Sequence, residues 1–82
     1  MTETAPYKEA FPVGTELRIA DRVFLDDFKA TWEYHHKLTT EQLEFAGQRT
    51  KVARVGFYHG GDALYTLAGI PGLWHEQCLR PV

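Results

Sequence analysis

Apolar residues in much of this chain recur at every second position, the spacing of strands with one buried face. Between Thr15 and Leu25, Leu17 and Ile19 alternate with Arg18 and Ala20, and Val23-Phe24-Leu25 is a β-branched and aromatic run. Asp21-Arg22 reads as a bend between two short strand pieces, and the turn-favouring pair Asp26-Asp27 ends the segment. From Gln48 to Tyr58, Ala53, Val55 and Phe57 share a face. His59-Gly60-Gly61-Asp62 follows, a glycine pair that supplies positive φ in a tight hairpin, and Ala63 to Ala68 is the return strand. Gly69-Ile70-Pro71-Gly72 has the order of a type II turn. Leu73 to Gln77 fits one helical turn, and Cys78-Leu79-Arg80 a last strand.

The period changes in the middle. Phe28, Trp32 and His36 stand four apart, which suits either a helical face or a long aromatic-rich loop. A helix start is clearer at Leu38-Thr39-Thr40-Glu41-Gln42-Leu43. Thr39 is the cap, Gln42 can return a bond to the cap's own amide, and Leu38 and Leu43 take the positions of a hydrophobic staple. A two-turn helix over about 40–46 is expected, with Gly47 as its left-handed end.

Strand, long excursion with a short helix, hairpin, tight turn and final strand make five short strands, enough for a small barrel to hide its edges. The tail from Gly72 to Pro81 resembles the end of Src-homology-3-like barrels, in which a glycine and a large hydrophobe precede a helical turn and a closing strand. The Gly-Gly hairpin is similar to their central strand pair, and the excursion from Asp26 to Gly47 would replace their long first loop. The resemblance implies a mainly β, partly open, five-stranded SH3-like barrel over residues 11–82, preceded by a loose arm over 1–10. Its core is expected to hold Leu17, Ile19, Val23, Leu25, Leu43, Val55, Phe57, Leu67 and Leu79. Eukaryotic members of that superfold bind proline-rich peptides, but their Ala-Leu-Tyr-Asp-Tyr-like stretch has no counterpart here, so peptide recognition does not follow from the resemblance.

Composition narrows the function classes. The 82 residues carry a net charge of −2, whereas domains that grip phosphates carry a positive excess, so nucleic acid is disfavoured as a partner. The one basic cluster, Arg49, Lys51 and Arg54, is diluted by acidic neighbours. One cysteine excludes an internal disulfide and suits a reducing compartment. The first ten residues lack the apolar core of a secretory signal, and no apolar run nears the ~18 residues that span a bilayer. A cytoplasmic protein without membrane contact is expected.

No stretch specifies a cofactor or a reaction. Cys78 could pair with a histidine as a nucleophile, but an enclosing cleft, an oxyanion pocket and an orienting group are not evident, so an enzyme is not expected. His75 and Cys78, three apart, could offer two zinc ligands with His35 or His36 adding another. Against this, Cys78 reads better as a small buried residue of the last strand, with the histidines at the surface or hydrogen-bonded. The aromatics are the stronger signal. Trp32, Tyr34, Tyr58, Tyr65 and Trp74 exceed what a small core needs once Phe24, Phe28, Phe45 and Phe57 fill it, and these residue types are enriched at binding hot spots. With His36 they form the expected surface for a protein partner. The competing reading is that some of them, Trp74 above all, complete the core.

Overall fold

Leu17 and Ile19 have no accessible surface while Glu16 and Arg18 face water, so the alternation in the first strand separates core from solvent as its period requires. The computed structural model describes residues 9–58 and 62–82. In chain order it contains β1 (Glu16–Ile19), the helix α1 (Arg22–Thr31), a 3-10 turn (Glu41–Phe45), β2 (Arg49–Phe57), β3 (Ala63–Leu67), β4 (Ile70–His75), a second 3-10 turn (Glu76–Cys78) and β5 (Leu79–Pro81). The strands form one antiparallel sheet in the order β4-β3-β2-β1-β5, mainly β as expected. Its two edges are β4 and β5, so it is not closed.

Strand β2 is the spine. Its first residues pair with β1, from Arg18↔Arg49 to Glu16↔Lys51, and from Val52 onward it pairs with β3. A register shift between Val52 and Arg54 marks the place where it passes from one partner to the other, and such irregularities bend a strand. Leu17, Ile19, Leu25, Phe28, Leu43, Val52, Tyr65, Leu67, Trp74 and Leu79 meet in a single core.

Four expectations about elements are corrected. The strand expected over Thr15–Leu25 stops at Ile19, because Asp21 caps a helix: its Oδ1 accepts the Phe24 amide at 2.9 Å. On that helix Leu25 and Phe28 turn inward and Val23 turns out, 79% exposed, so burial of one face overrides the strand preference of Val23-Phe24-Leu25. The two-turn helix near Gly47 is a 3-10 segment, held by bonds such as Leu43 N to Thr40 O at 3.2 Å. Its start is as read: Gln42 N donates to Thr39 Oγ1 at 3.2 Å, and Thr39 N donates to Gln42 Oε1 at 3.0 Å. The turn expected at Gly69–Gly72 sits earlier, at Ala68-Gly69, with Gly69 at φ +72° and Leu67 paired to Ile70. Pro71 lies within β4, tolerated because this is an edge strand and bulged there. The single helical turn falls on Glu76–Cys78 instead of Leu73–Gln77.

Two core assignments fail for the same kind of reason. Val23 is on the outer face of α1, and Phe57 is 38% exposed at the far end of β2, where the strand has left the core. The amides of Ala10 and Phe11 donate to the Tyr65 hydroxyl at 3.1 and 3.3 Å.

Candidate functional site

The excursion between β1 and β2 returns to the sheet beside the β2–β3 hairpin and the end of β4, and aromatic and imidazole rings mediate that return. Helix α1 ends at Trp32, whose backbone amide closes on Phe28 O at 2.8 Å. The helical register stacks the Trp32 indole on the Phe28 ring, with centroids 5.2 Å apart and planes within 14°. The indole N–H is committed to His35 O at 2.7 Å, which turns the chain and presents His35 and His36 to the sheet. His36 takes a left-handed conformation, φ +52°, that few non-glycine residues adopt. Its carbonyl accepts from His75 Nε2 at 2.7 Å, which holds the bend against the end of β4.

The histidines form an ordered chain of donors. His35 Nε2 donates to Asp62 Oδ2 at 3.0 Å, at the start of the return strand. In neutral His35 the Nδ1 is then an acceptor, so His36 Nδ1, 3.0 Å away, is the donor. Tyr58 stacks on the His35 ring with centroids 3.9 Å apart and planes within 17°. His75, 4% exposed, lies against Phe28 and Trp32. Burial pushes its imidazole below the usual histidine range, and the neighbouring His35 and His36 act in the same direction, against the hydrogen bond to His36 O.

Clefts among the described residues flank this stack. One, of about 400 Å³, is lined by Trp32, Asp62, Ala63, His75, Glu76 and Gln77. Another, of about 360 Å³, lies over the outer face of β2 and β3 and includes His36, Phe57, Tyr58 and Leu73. The expected partner surface therefore divides. Trp32 is half-buried on the first cleft, Tyr34 is 72% exposed beside it with its ring edge-on to the indole, and His36 and Tyr58 border the second. Tyr65 and Trp74 are not on the surface. Both have no accessible area, paired across β3 and β4 on the face that packs into the core. Tyr65 uses its hydroxyl internally, donating to Glu76 Oε1 at 3.1 Å, and burial raises its pKa above the usual tyrosine value.

The alternative ligand set, His75 and Cys78 with His35 or His36, is not grouped to hold a metal among the described residues. Cys78 is fully buried and its thiol is pushed up to about 12 by burial, so it is a protonated core group. Among the described residues no three His, Cys, Asp or Glu side chains are placed to hold a metal ion. Arg49 and Lys51 line a shallow groove with Glu16, and Arg54 borders the cleft of Phe57. Among the described residues no helix is long and apolar enough to cross a membrane.

From the sequence, Asp62 and His59 beside the glycine pair are read as members of a turn and not of a site, and Glu76 is not singled out. Asp62 reads as part of a hairpin tip, and its role depends on His35, 27 residues earlier. Only its position next to the glycine pair, opposite an aromatic-rich excursion, hinted at a site. His59, Gly60 and Gly61, the rest of that expected turn, lie outside the described residues. No protein-family model matches this chain, and neither the curated proteins nor the solved structures contain a match.

Proposed function

We propose that this chain is a non-catalytic interaction module or a small subunit of a larger assembly, and that it engages a protein partner through the aromatic face around Trp32. The observation that carries this reading is the half-exposed indole, fixed in place by Phe28 and by its bond to His35 O, on the wall of a cleft of about 400 Å³. A rigid aromatic beside a recess binds with little loss of side-chain freedom. Tyr34, 72% exposed and braced edge-on by Trp32, extends the same surface.

An SH3-like architecture is part of the proposal. The sheet order, a first connection long enough to hold α1 and a 3-10 turn, and a 3-10 turn just before the last strand support it. The lone buried cysteine supports a reducing, cytoplasmic setting. The net charge of −2 supports a protein partner over a nucleic acid.

The test is capture from a lysate of the source organism with wild type, Trp32→Ala and a control, Val23→Ser, at a position 79% exposed on α1. A partner held by wild type and the control and lost by Trp32→Ala is the expected result. Affinity for a purified partner that is unchanged by Trp32→Ala and Tyr34→Ala would show that the binding surface lies elsewhere.

A further inference from the structure

Resting on the reading of the Trp32 face as a partner surface, we propose that the cleft beside Trp32 receives an arginine side chain from an extended segment of that partner. The chemistry of the lining selects for it. Two carboxylates, Asp62 and Glu76, border the cleft, and no lysine or arginine does. Each carboxylate is oriented by one pinned oxygen: Asp62 Oδ2 takes the His35 imidazole, and Glu76 Oε1 takes the Tyr65 hydroxyl. Among the described residues the other oxygen of each, Asp62 Oδ1 and Glu76 Oε2, accepts no side-chain or backbone donor. Two pre-oriented acceptors are what a forked, charged donor needs.

The indole supplies the rest. One of its faces is covered by Phe28, its N–H is already used, and Tyr34 and His75 pack against the ring, so what Trp32 offers the cleft is the part of its π surface that these neighbours leave exposed. A guanidinium is flat, stacks on indole, and keeps its edge donors free for carboxylates while doing so. An ammonium lacks the flat face and the fork, which places lysine second. His75, the imidazole in the wall, is held neutral by burial and so adds no opposing charge near pH 7. Glutamate or aspartate in the same place would meet two like charges at short range.

The test uses a phage-displayed library of random dodecapeptides, panned on the intact protein and on two variants. Asp62→Asn/Glu76→Gln removes the charge while keeping an oxygen acceptor for His35 and for the Tyr65 hydroxyl; Trp32→Ala removes the indole. Wild type is expected to enrich peptides with a recurrent arginine. A selected peptide should bind about tenfold more weakly to the double variant, the size of one good charge-assisted contact, and more weakly at higher salt. Replacing that arginine by citrulline, which keeps the shape and loses the charge, should cost a similar factor against the unaltered protein. Peptides that depend on Trp32 but carry no basic residue would overturn the arginine assignment and leave the binding surface standing. Basic peptides indifferent to both the citrulline exchange and the double variant would also overturn it. Peptides indifferent to Trp32→Ala, or no enrichment at all, would overturn both readings.

Discussion

Gly72 and Gln42 set each other's identity. Gly72 stands at φ +91° in the bulge of β4, and a Cβ there would come within 2.8 Å of Gln42 Nε2 and 3.0 Å of Gln42 Cδ. Gln42 has little freedom to retreat. It is 4% exposed, its Oε1 accepts the Thr39 amide, and its Nε2 donates to Leu73 O at 2.9 Å. Gly72→Ala combines a left-handed backbone with this clash and should destabilise the protein by about 2 kcal/mol, read from the urea midpoint. Gly56→Ala is the control, since a Cβ there meets nothing within 4 Å, and should change stability by less than about 0.5 kcal/mol. If the clash matters as well as the backbone, Gly72→Ala should cost less in a Gln42→Ala background than alone, a coupling that a double-mutant cycle measures.

At the scale of elements, α1 depends on its cap and the excursion depends on its histidines. Asp21→Ala leaves the Phe24 amide without its 2.9 Å partner and should cost about 1 kcal/mol, with a loss of helical signal by circular dichroism. The excursion is held to the sheet by the bond from His75 Nε2 to His36 O and by the pair His35–Asp62. The groups acting on His75 are His35 and His36 from the excursion and Asp62 from the start of the return strand; burial dominates and lowers its pKa. A lowered folded-state pKa means that the unfolded chain binds the proton more readily, so stability rises with pH and is lost on acidification. The loss should begin near pH 6.5, the ordinary histidine value, and continue down through the lower folded-state pKa, at no more than about 1.4 kcal/mol per pH unit for one proton. Urea midpoints measured from pH 7.5 to 5 should show this slope. His75→Gln, which keeps a donor for His36 O, should flatten it.

For the whole molecule, one core serves every strand, and its largest fully buried members are Trp74 and Tyr65. Truncation of the first, Trp74→Ala, should remove about 3–5 kcal/mol, most of the total stability of a small domain, so that the variant is largely unfolded at 37 °C by near-ultraviolet circular dichroism. Cys78 reports the same cooperativity. With no accessible surface and a thiol pushed up to about 12, it should react with a thiol reagent at pH 8 at least about a thousandfold more slowly in the native protein than in denaturant. Fast native labelling would mean that the second 3-10 turn, with β5 after it, opens without the rest.

What was legible from residues alone was local. The alternation of Leu17 and Ile19, the reciprocal Thr39 and Gln42 bonds, the left-handed Gly47 and the hairpin between β2 and β3 all rest on chemistry within a few positions, and all are present. The helix at Asp21 was hidden because Val23-Phe24-Leu25 locally favours a strand, and the helical register is chosen by the core that Leu25 and Phe28 enter. Likewise no local pattern separates Trp32, which is left on a cleft wall, from Trp74, which is fully buried in the core opposite Tyr65. The site itself belongs to the tertiary structure. Asp62, His75 and Glu76 face Trp32 and His35 only because the sheet brings the hairpin, the end of β4 and the excursion to one place, and contacts across 27 or more positions leave no mark in the spacing of residues.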